Sequence, residues 1–151
     1  MQGRKLLVAV VAAVASLAAF PVAAHATQPE PVKLEMNGVA TGPNSVVGSW
    51  VATSAVEDAG SYMETLQFRG KTIHVVKTLT GDNGTIVLKG QAVVVWISPT
   101  VATFAAGQWR IMSGTGAYAR LHGHGSPAAS GFFDAATGVA RITHEGAAHY
   151  D

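Results

Sequence analysis

Apolar and polar residues alternate in short runs along most of the chain, and the apolar residues almost never repeat at the 3.6-residue spacing of a helix. The runs are rich in Val, Ile, Thr and aromatic residues and are separated by Gly, Asn, Asp and Pro, which predicts β-strands. We predict about eight to ten strands, some of which merge, over residues 33–36, 48–54, 61–68, 72–79, 85–97 (bent at Gly90), 101–105, 108–112, 119–124, 130–134 and 139–144.

Three short polar segments predict tight connections between antiparallel neighbours. Asn83-Gly84 has the residues that a hairpin needs where φ is positive. In the segment from Asp134 to Gly138, the aspartate can cap a turn and the glycine can take the left-handed conformation, and residues 58–60 supply a third turn. Many short strands joined by hairpins, with no helical segment between them, are typical of a β-sandwich or a β-barrel.

The glycines favour the barrel over the sandwich. Of the 17 glycines, all but one lie in residues 27–151, and Gly48, Gly90, Gly123 and Gly125 fall inside predicted strands. A glycine weakens a strand unless a bend or a close backbone approach requires it, and small closed barrels need such bends. Closure also removes the exposed strand edges that favour aggregation. We therefore predict an all-β protein, a closed antiparallel β-barrel of about eight strands.

Residues 1–26 have the pattern of a signal peptide. Two basic residues precede an apolar run over residues 6–20, and the small residues Ala24 and Ala26 suit a signal peptidase. The apolar run is shorter than the roughly 20 residues of a membrane-spanning helix, so an uncleaved anchor is the less favoured alternative. We predict a secreted or periplasmic protein that starts at Thr27 and keeps no stable membrane anchor.

The remaining chain has the length of one domain. We predict a flexible arm over residues 27–32, which include two prolines, and a single barrel domain over residues 33–151. The signal peptide removes two of the ten Lys and Arg and none of the nine Asp and Glu, so no strong basic charge remains and a nucleic-acid partner is not expected. The sequence contains no cysteine, which excludes a disulfide framework.

The most informative stretch is residues 109–125, WRIMSGTGAYARLHGHG, which predicts a strand, a glycine turn and a second strand. Gly114 and Gly116 allow a tight left-handed turn, after which Tyr118 can fold back as an aromatic plug with its hydroxyl at the rim. The stretch is not a dinucleotide-binding motif, because Ala119 stands where the third glycine belongs and no helical pattern follows.

The segment GTGAYARLHGHG resembles the GTG-x-Y/F-x-x-L/A-x-G segment of the allene oxide cyclase and dirigent barrel superfamily, and more closely its uncharacterised bacterial secreted members. The shared glycine turn falls on Gly114, Gly116 and Gly123. The resemblance covers most of residues 48–125, with further matching segments at 48–50, 58–61 and 77–86. It implies an eight-stranded barrel whose apolar lumen holds apolar or phenolic molecules and, in some members, steers cyclisation or radical coupling. The catalytic residues of the plant enzymes have no matching positions in this sequence, so the resemblance carries over no enzymatic activity.

Six residues are candidates for contact with a ligand in the lumen: Trp50, Tyr62, Glu64, Trp96, Trp109 and Tyr118. A carboxylate in an apolar lumen would have a raised pKa, which would make Glu64 the first candidate acid or base. Two arrangements stay open, with Tyr62, Glu64 and Leu66 facing either the lumen or the solvent. We favour the solvent for this face, because charged residues are rarely buried.

The histidines offer an alternative chemistry. His122 and His124 lie two residues apart on one strand face, a spacing that can place two imidazoles on one Zn²⁺ or Cu²⁺ ion. Further ligands could come from His144, Glu145 and His149. We favour solvated histidines on the outer face of the barrel, because alternation puts them opposite an apolar face. We expect neither a metal site nor a cofactor.

The run AVVVWI over residues 92–97 is apolar on both of its faces. Either a loop covers its outer side or this side forms the interface of a homodimer, and both remain open.

Two classes of function agree with these patterns. The first is a secreted small barrel that holds a small apolar or phenolic ligand without turnover or, more simply, a structural extracellular module with a filled core. The second is a cyclase-like, isomerase-like or dirigent-like barrel, since shape and exclusion of water can direct a reaction with few acid or base residues. We favour ligand binding, and whether the protein is an enzyme stays open.

Overall fold

The computed structural model describes residues 26–151, and the predicted signal peptide, apart from Ala26, lies outside the described residues. Nine β-strands and one turn of 3₁₀ helix form this part of the chain. The strands are β1 (Glu30–Gly42), β2 (Ser45–Ser54), β3 (Asp58–Arg69), β4 (Thr72–Gly81), β5 (Gly84–Trp96), β6 (Val101–Gly114), β7 (Leu121–Gly125), β8 (Ser130–Asp134) and β9 (Val139–Tyr150), with the 3₁₀ helix at Gly116–Tyr118. No helix within residues 26–151 has the length and apolar character needed to cross a membrane.

The sheet closes on itself. Consecutive strands from β1 to β6 pair antiparallel, and β1 also pairs with β9 in an unbroken antiparallel register. Both β7 and β8 lie between β6 and β9: β7 pairs with Trp109 and Arg110 of β6, whereas β8 pairs with residues 101–103. These two short strands therefore share one position in the wall. The prediction of a closed antiparallel barrel of about eight strands is confirmed, with one extra strand.

Close contact between neighbouring backbones accounts for glycines inside the strands. At Gly48 a Cβ atom would overlap the carbonyl group of Asn37 on β1. At Gly125 it would overlap both the carbonyl oxygen of Glu145 and the indole of Trp109. Gly48 and Gly125 thus lie where a neighbouring strand or a core side chain approaches too closely for any larger residue. At Gly90 and Gly123 the nearest atoms to a Cβ belong to the side chains of Val75 and Ile111, at 3.2 and 2.9 Å.

The strand β6 joins two segments that we predicted as separate strands. The chain passes between them through Ala106 and Gly107, which have positive φ angles of 53° and 92°. The register between β5 and β6 shifts at this point, as expected for a β-bulge. Glycine is required at the second position, because a Cβ atom there would overlap the carbonyl of Gln91.

Two predicted hairpins form and a third turn is displaced. The β4–β5 hairpin turns through Asp82 and Asn83, one residue earlier than predicted, and of the predicted pair only Gly84, which begins β5, has a positive φ, of 144°. In the β8–β9 turn Asp134 Oδ1 accepts a hydrogen bond from the backbone N–H of Ala136 at 2.9 Å. The turn predicted at residues 58–60 instead precedes Asp58, which begins β3.

The predicted N-terminal arm differs from the structure in its second half. Residues 30–32 belong to β1 and pair with β9, opposite Ala148 and its neighbours. Thr27 also reaches the barrel, because its backbone N–H donates a hydrogen bond to the carbonyl of Tyr150 at 2.7 Å. This segment therefore extends the wall of the barrel.

Side chains fill the lumen from its middle to the end that carries the β4–β5 turn and the 3₁₀ helix. The buried residues there include Leu34, Met36, Trp50, Leu79, Ile86, Leu88, Trp109 and Tyr118. The two tryptophans are held in place through their indole N–H groups, since Trp50 donates to the carbonyl of Thr80 at 3.1 Å and Trp109 to that of Glu145 at 3.0 Å. The opposite half of the lumen contains a second, smaller hydrophobic cluster and is filled only in part, so that a cavity remains there.

Candidate ligand site in the barrel lumen

A cavity of about 120 Å³ lies in the half of the lumen toward the β1–β2, β3–β4 and β5–β6 turns. Aliphatic and aromatic side chains form most of its wall, including Val46, Leu66, Phe68, Ile73, Val75, Val94, Trp96, Phe104, Phe133 and Ile142. Phe68 and Trp96 are 52% and 55% exposed. Because these lining residues also contact solvent, the cavity opens to the outside at this end.

Strand alternation explains why three polar side chains also enter this cavity. On β3, β4 and β9, every second residue faces the lumen. Glu64 follows Tyr62 on the inner face of β3, Lys77 precedes Leu79 on that of β4, and His144 follows Ile142 on that of β9. All three polar residues line the cavity and are at most 4% exposed.

Glu64 and Lys77 form a buried ion pair. They are directly opposite each other in the antiparallel register of β3 and β4, and Lys77 Nζ lies 2.8 Å from Glu64 Oε2. Burial lowers the pKa of Lys77, while the adjacent carboxylate of Glu64 opposes this shift. The ammonium group also lies 5.7 Å from the ring centroid of Tyr62, close enough for a cation–π contact. Each charge is thus compensated by its neighbour across the sheet.

His144 is a neutral, buried imidazole. Its Nδ1 is in hydrogen-bond contact with the carbonyl oxygen of Ala128. Burial, aided by the positive charge of Lys77, lowers the pKa of His144 to about 3, although the contact with Ala128 acts in the opposite direction. Since a carbonyl oxygen only accepts hydrogen bonds, the proton of the neutral ring belongs on Nδ1 and the lone pair on Nε2. Within residues 26–151, Nε2 has no hydrogen-bond partner.

Of the six residues predicted to face a ligand, the structure places two in the wall of the cavity, namely Glu64 inside and Trp96 at the mouth. The solvent-facing arrangement that we favoured for Glu64 is wrong. Burial is possible for this carboxylate because Lys77 on the neighbouring strand neutralises it.

The other four predicted residues also face inward but belong to the filled part of the lumen. Trp50, Trp109 and Tyr118 are buried in the core cluster. Tyr62 is buried as well, and a Cβ atom at Gly38 would overlap its hydroxyl group. Burial, followed by the negative charge of Glu64, raises the pKa of this phenol well above its usual value.

Sequence reasoning missed Lys77 and did not assign His144 to the lumen. The signal was present in both strands, because the apolar residues at alternate positions on β4 and β9 define an inner face that includes the two polar residues. A charged or polar residue on such a face points to a compensating partner within the barrel.

The outer histidines lie away from the cavity. His122 and His124 are exposed. His122 stacks on His149 of β9 with ring centroids 5.4 Å apart, and its Nε2 lies 2.7 Å from Asp151 Oδ2. Residues 26–151 contain no group of three or more His, Asp or Glu side chains arranged to hold a metal ion.

The outer side of residues 92–97 is accessible in the described part of the chain. Val95 and Ile97 face outward and are 40% and 66% exposed. The homodimer remains a prediction, and mass measurement in solution tests it. A monomer at high protein concentration would contradict it.

At the closed end of the barrel, which is the filled end with the β4–β5 turn, a hydrogen bond joins the 3₁₀ helix to β3. The hydroxyl of Tyr118, in the 3₁₀ helix, donates to Asp58 Oδ2 at 2.7 Å. The same carboxylate accepts hydrogen bonds from the backbone N–H groups of Ala59, Asp82 and Asn83. The hydrogen bond from Tyr118, followed by those from the backbone, lowers the pKa of Asp58, although burial opposes this shift.

Tyr118→Phe is expected to lower the free energy of unfolding by about 1–2 kcal/mol at pH 7, because it removes a hydrogen bond to a charged but partly solvated group. The loss should shrink as the pH falls below 3.8, since Asp58 is ionised in the fold to lower pH than in the unfolded chain. Urea unfolding at pH 7 and pH 3 measures both effects. Tyr150→Phe is the matched control, as the hydroxyl of Tyr150 makes no hydrogen bond within residues 26–151. Equal losses in the two variants would contradict the role of Tyr118.

Fold and site together define a closed antiparallel β-barrel with a small apolar cavity at one end of its lumen and a buried cluster of Glu64, Lys77 and His144 in the wall of that cavity. Comparison of the chain with protein-family models, with curated proteins and with solved structures finds no match.

Proposed function

We propose that this protein is a secreted or periplasmic barrel that binds one small, predominantly apolar or phenolic ligand in its lumen. The observation that carries the proposal is the cavity of about 120 Å³ with its largely aliphatic and aromatic wall. Buried apolar cavities of about 150 Å³ in other proteins stay dry and bind benzene. The cavity is therefore of the size that suits a molecule built on a single ring.

The opening of the cavity supports the same function. Phe68 and Trp96 present apolar surface to solvent at the mouth, and exposed apolar patches of this kind mark binding sites. A structural module would gain stability from filling the lumen completely, as happens at the closed end. The cavity that remains in the other half argues for a ligand rather than for a purely structural role.

A cyclase-like or isomerase-like activity is the second candidate. The observation in its favour is the convergence of Glu64, Lys77 and His144 on one small, largely apolar cavity. Glu64 and Lys77 are buried and paired with each other. The polar cluster is therefore better suited to orienting a ligand than to exchanging protons with it.

Native mass spectrometry of the protein purified from its own host tests the proposal. We expect a polypeptide mass that begins at Thr27, with part of the population carrying one additional small molecule. A mass that includes residues 1–26 would contradict secretion, and a protein that never carries a small molecule would contradict ligand binding.

Filling part of the cavity with a larger side chain should weaken binding. Ala102 is buried on the inner face of β6 and lines the cavity, so Ala102→Leu is expected to weaken binding of the ligand or of toluene by about tenfold or more. Ala105 is exposed on the same strand, and Ala105→Leu is the matched control with unchanged affinity. Equal affinities for the two variants would show that the ligand binds elsewhere.

A further inference from the structure

The lumen presents a hydrogen-bond acceptor that the described part of the protein leaves unsatisfied. His144 lines the cavity, its Nδ1 is engaged by the carbonyl of Ala128, and its Nε2 is buried without a partner. A neutral ring in this tautomer can only accept a hydrogen bond at Nε2. A buried acceptor without a donor destabilises the folded protein, and such groups are rare in native structures.

No donor of the described residues lies within hydrogen-bond distance of Nε2. The ammonium group of Lys77 pairs with Glu64 at 2.8 Å, and the indole N–H of Trp109, whose ring centroid is 5.7 Å from that of His144, donates to the carbonyl of Glu145. The hydroxyl of Tyr62, which lies against Gly38, is likewise buried without a partner among these residues and is not in contact with Nε2. A molecule that enters the cavity can supply the donor that Nε2 lacks.

We propose that the ligand of this cavity carries a hydroxyl group, and that this hydroxyl donates a hydrogen bond to Nε2 of His144. The inference rests on the proposed function and specifies the chemical class of the ligand. The apolar wall receives the body of the molecule, while His144 selects for a donor at one point and so fixes its orientation. The ligand class is a small cyclic alcohol or a phenol, as opposed to a hydrocarbon or an ether of the same size.

Selectivity follows from the tautomer. An ether or carbonyl oxygen brought to Nε2 would place two acceptors against each other, whereas a hydrocarbon would leave Nε2 unsatisfied. Only a ligand with an O–H or N–H donor satisfies the ring, and a single-ring alcohol or phenol combines such a donor with a body that matches the size of the cavity.

The test is a calorimetric titration of the purified protein with phenol and with toluene, which have the same ring and differ in the hydroxyl. The quantity to compare is the ratio of the toluene Kd to the phenol Kd, since this ratio cancels the general effect of a substitution on the cavity. We expect His144→Leu to lower the ratio about tenfold, which corresponds to one net hydrogen bond. The control His124→Leu, at an exposed position, should leave it unchanged.

The outcomes separate this inference from the proposed function. If both molecules bind but the ratio does not depend on His144, the hydroxyl contact is wrong while ligand binding stands. If neither phenol nor toluene binds, the proposed function fails and this inference fails with it.

A measurement on the unmodified protein covers the case in which His144→Leu does not fold. The ¹⁵N chemical shifts of the His144 ring identify its tautomer, which we expect to carry the proton on Nδ1 at pH 7. Phenol should shift the Nε2 resonance, and toluene should leave it in place. A proton on Nε2, or equal shifts with the two ligands, would overturn the proposal.

Discussion

Lys77→Met is expected to lower the free energy of unfolding by about 3–5 kcal/mol at neutral pH, because it leaves the carboxylate of Glu64 buried without its counter-charge. The two side chains lie opposite each other on β3 and β4 and are almost fully buried, so water cannot take over the role of the missing ammonium. Denaturation in urea, with the midpoint and the slope both recorded, measures the loss.

Two control variants distinguish an unpaired charge from a general defect in the core. Replacing both partners, Glu64→Leu with Lys77→Met, should recover most of the lost stability, because apolar side chains of similar volume can substitute for a buried ion pair. Lys33→Met breaks an ion pair of similar length with Glu35, but both of those side chains are more than two-fifths exposed. It should change stability by less than about 1 kcal/mol. A Lys77→Met protein as stable as the wild type would contradict the buried pair.

Acid is expected to destabilise the barrel through His144, by about 3 kcal/mol between pH 7 and pH 4. The pKa of this residue is about 3 in the fold, against an ordinary value of 6.5. Between these two values the unfolded chain binds a proton that the folded protein excludes. The stability that the neutral ring provides is therefore complete above pH 6.5 and is lost progressively as the pH falls toward 3.

Urea unfolding of the wild type and of His144→Leu at pH 7, 5 and 4 isolates this effect, since other acidic groups titrate in both proteins. The variant should lose about 3 kcal/mol less than the wild type over this range. His124→Leu should follow the wild type, because that histidine is exposed. Parallel pH profiles for the wild type and His144→Leu would contradict the buried, neutral state of the ring.

The barrel itself could be predicted from the sequence because the signals that define it are local. Period-two alternation marks the strands, and segments such as Asn83-Gly84 mark the hairpins. The merger of two predicted strands into β6 was not evident, since Ala106-Gly107 reads as a break whereas the structure passes through it as a bulge. The division of one wall position between β7 and β8 depends on pairing with β6 and β9, which no local pattern encodes.

The site was harder to predict, because the alternation of polar and apolar residues along a strand indicates whether a side chain faces the lumen or the solvent. It does not indicate how far along the barrel axis that side chain lies. Trp50 and Trp109 were correctly expected to face inward, yet they fill the closed half of the lumen instead of lining the cavity. Glu64 was misjudged for a related reason. Its burial depends on Lys77, which lies across a strand pair whose register has to be known first.

The most direct test of a ligand-binding lumen is an NMR titration of the methyl-labelled protein with toluene. We expect saturable shifts confined to methyl groups that line the cavity, such as those of Ile73, Val94 and Ile142, with Leu88 in the filled half unchanged. Shifts without saturation, or shifts at exposed methyl groups such as that of Met63 on the outer face of β3, would contradict it.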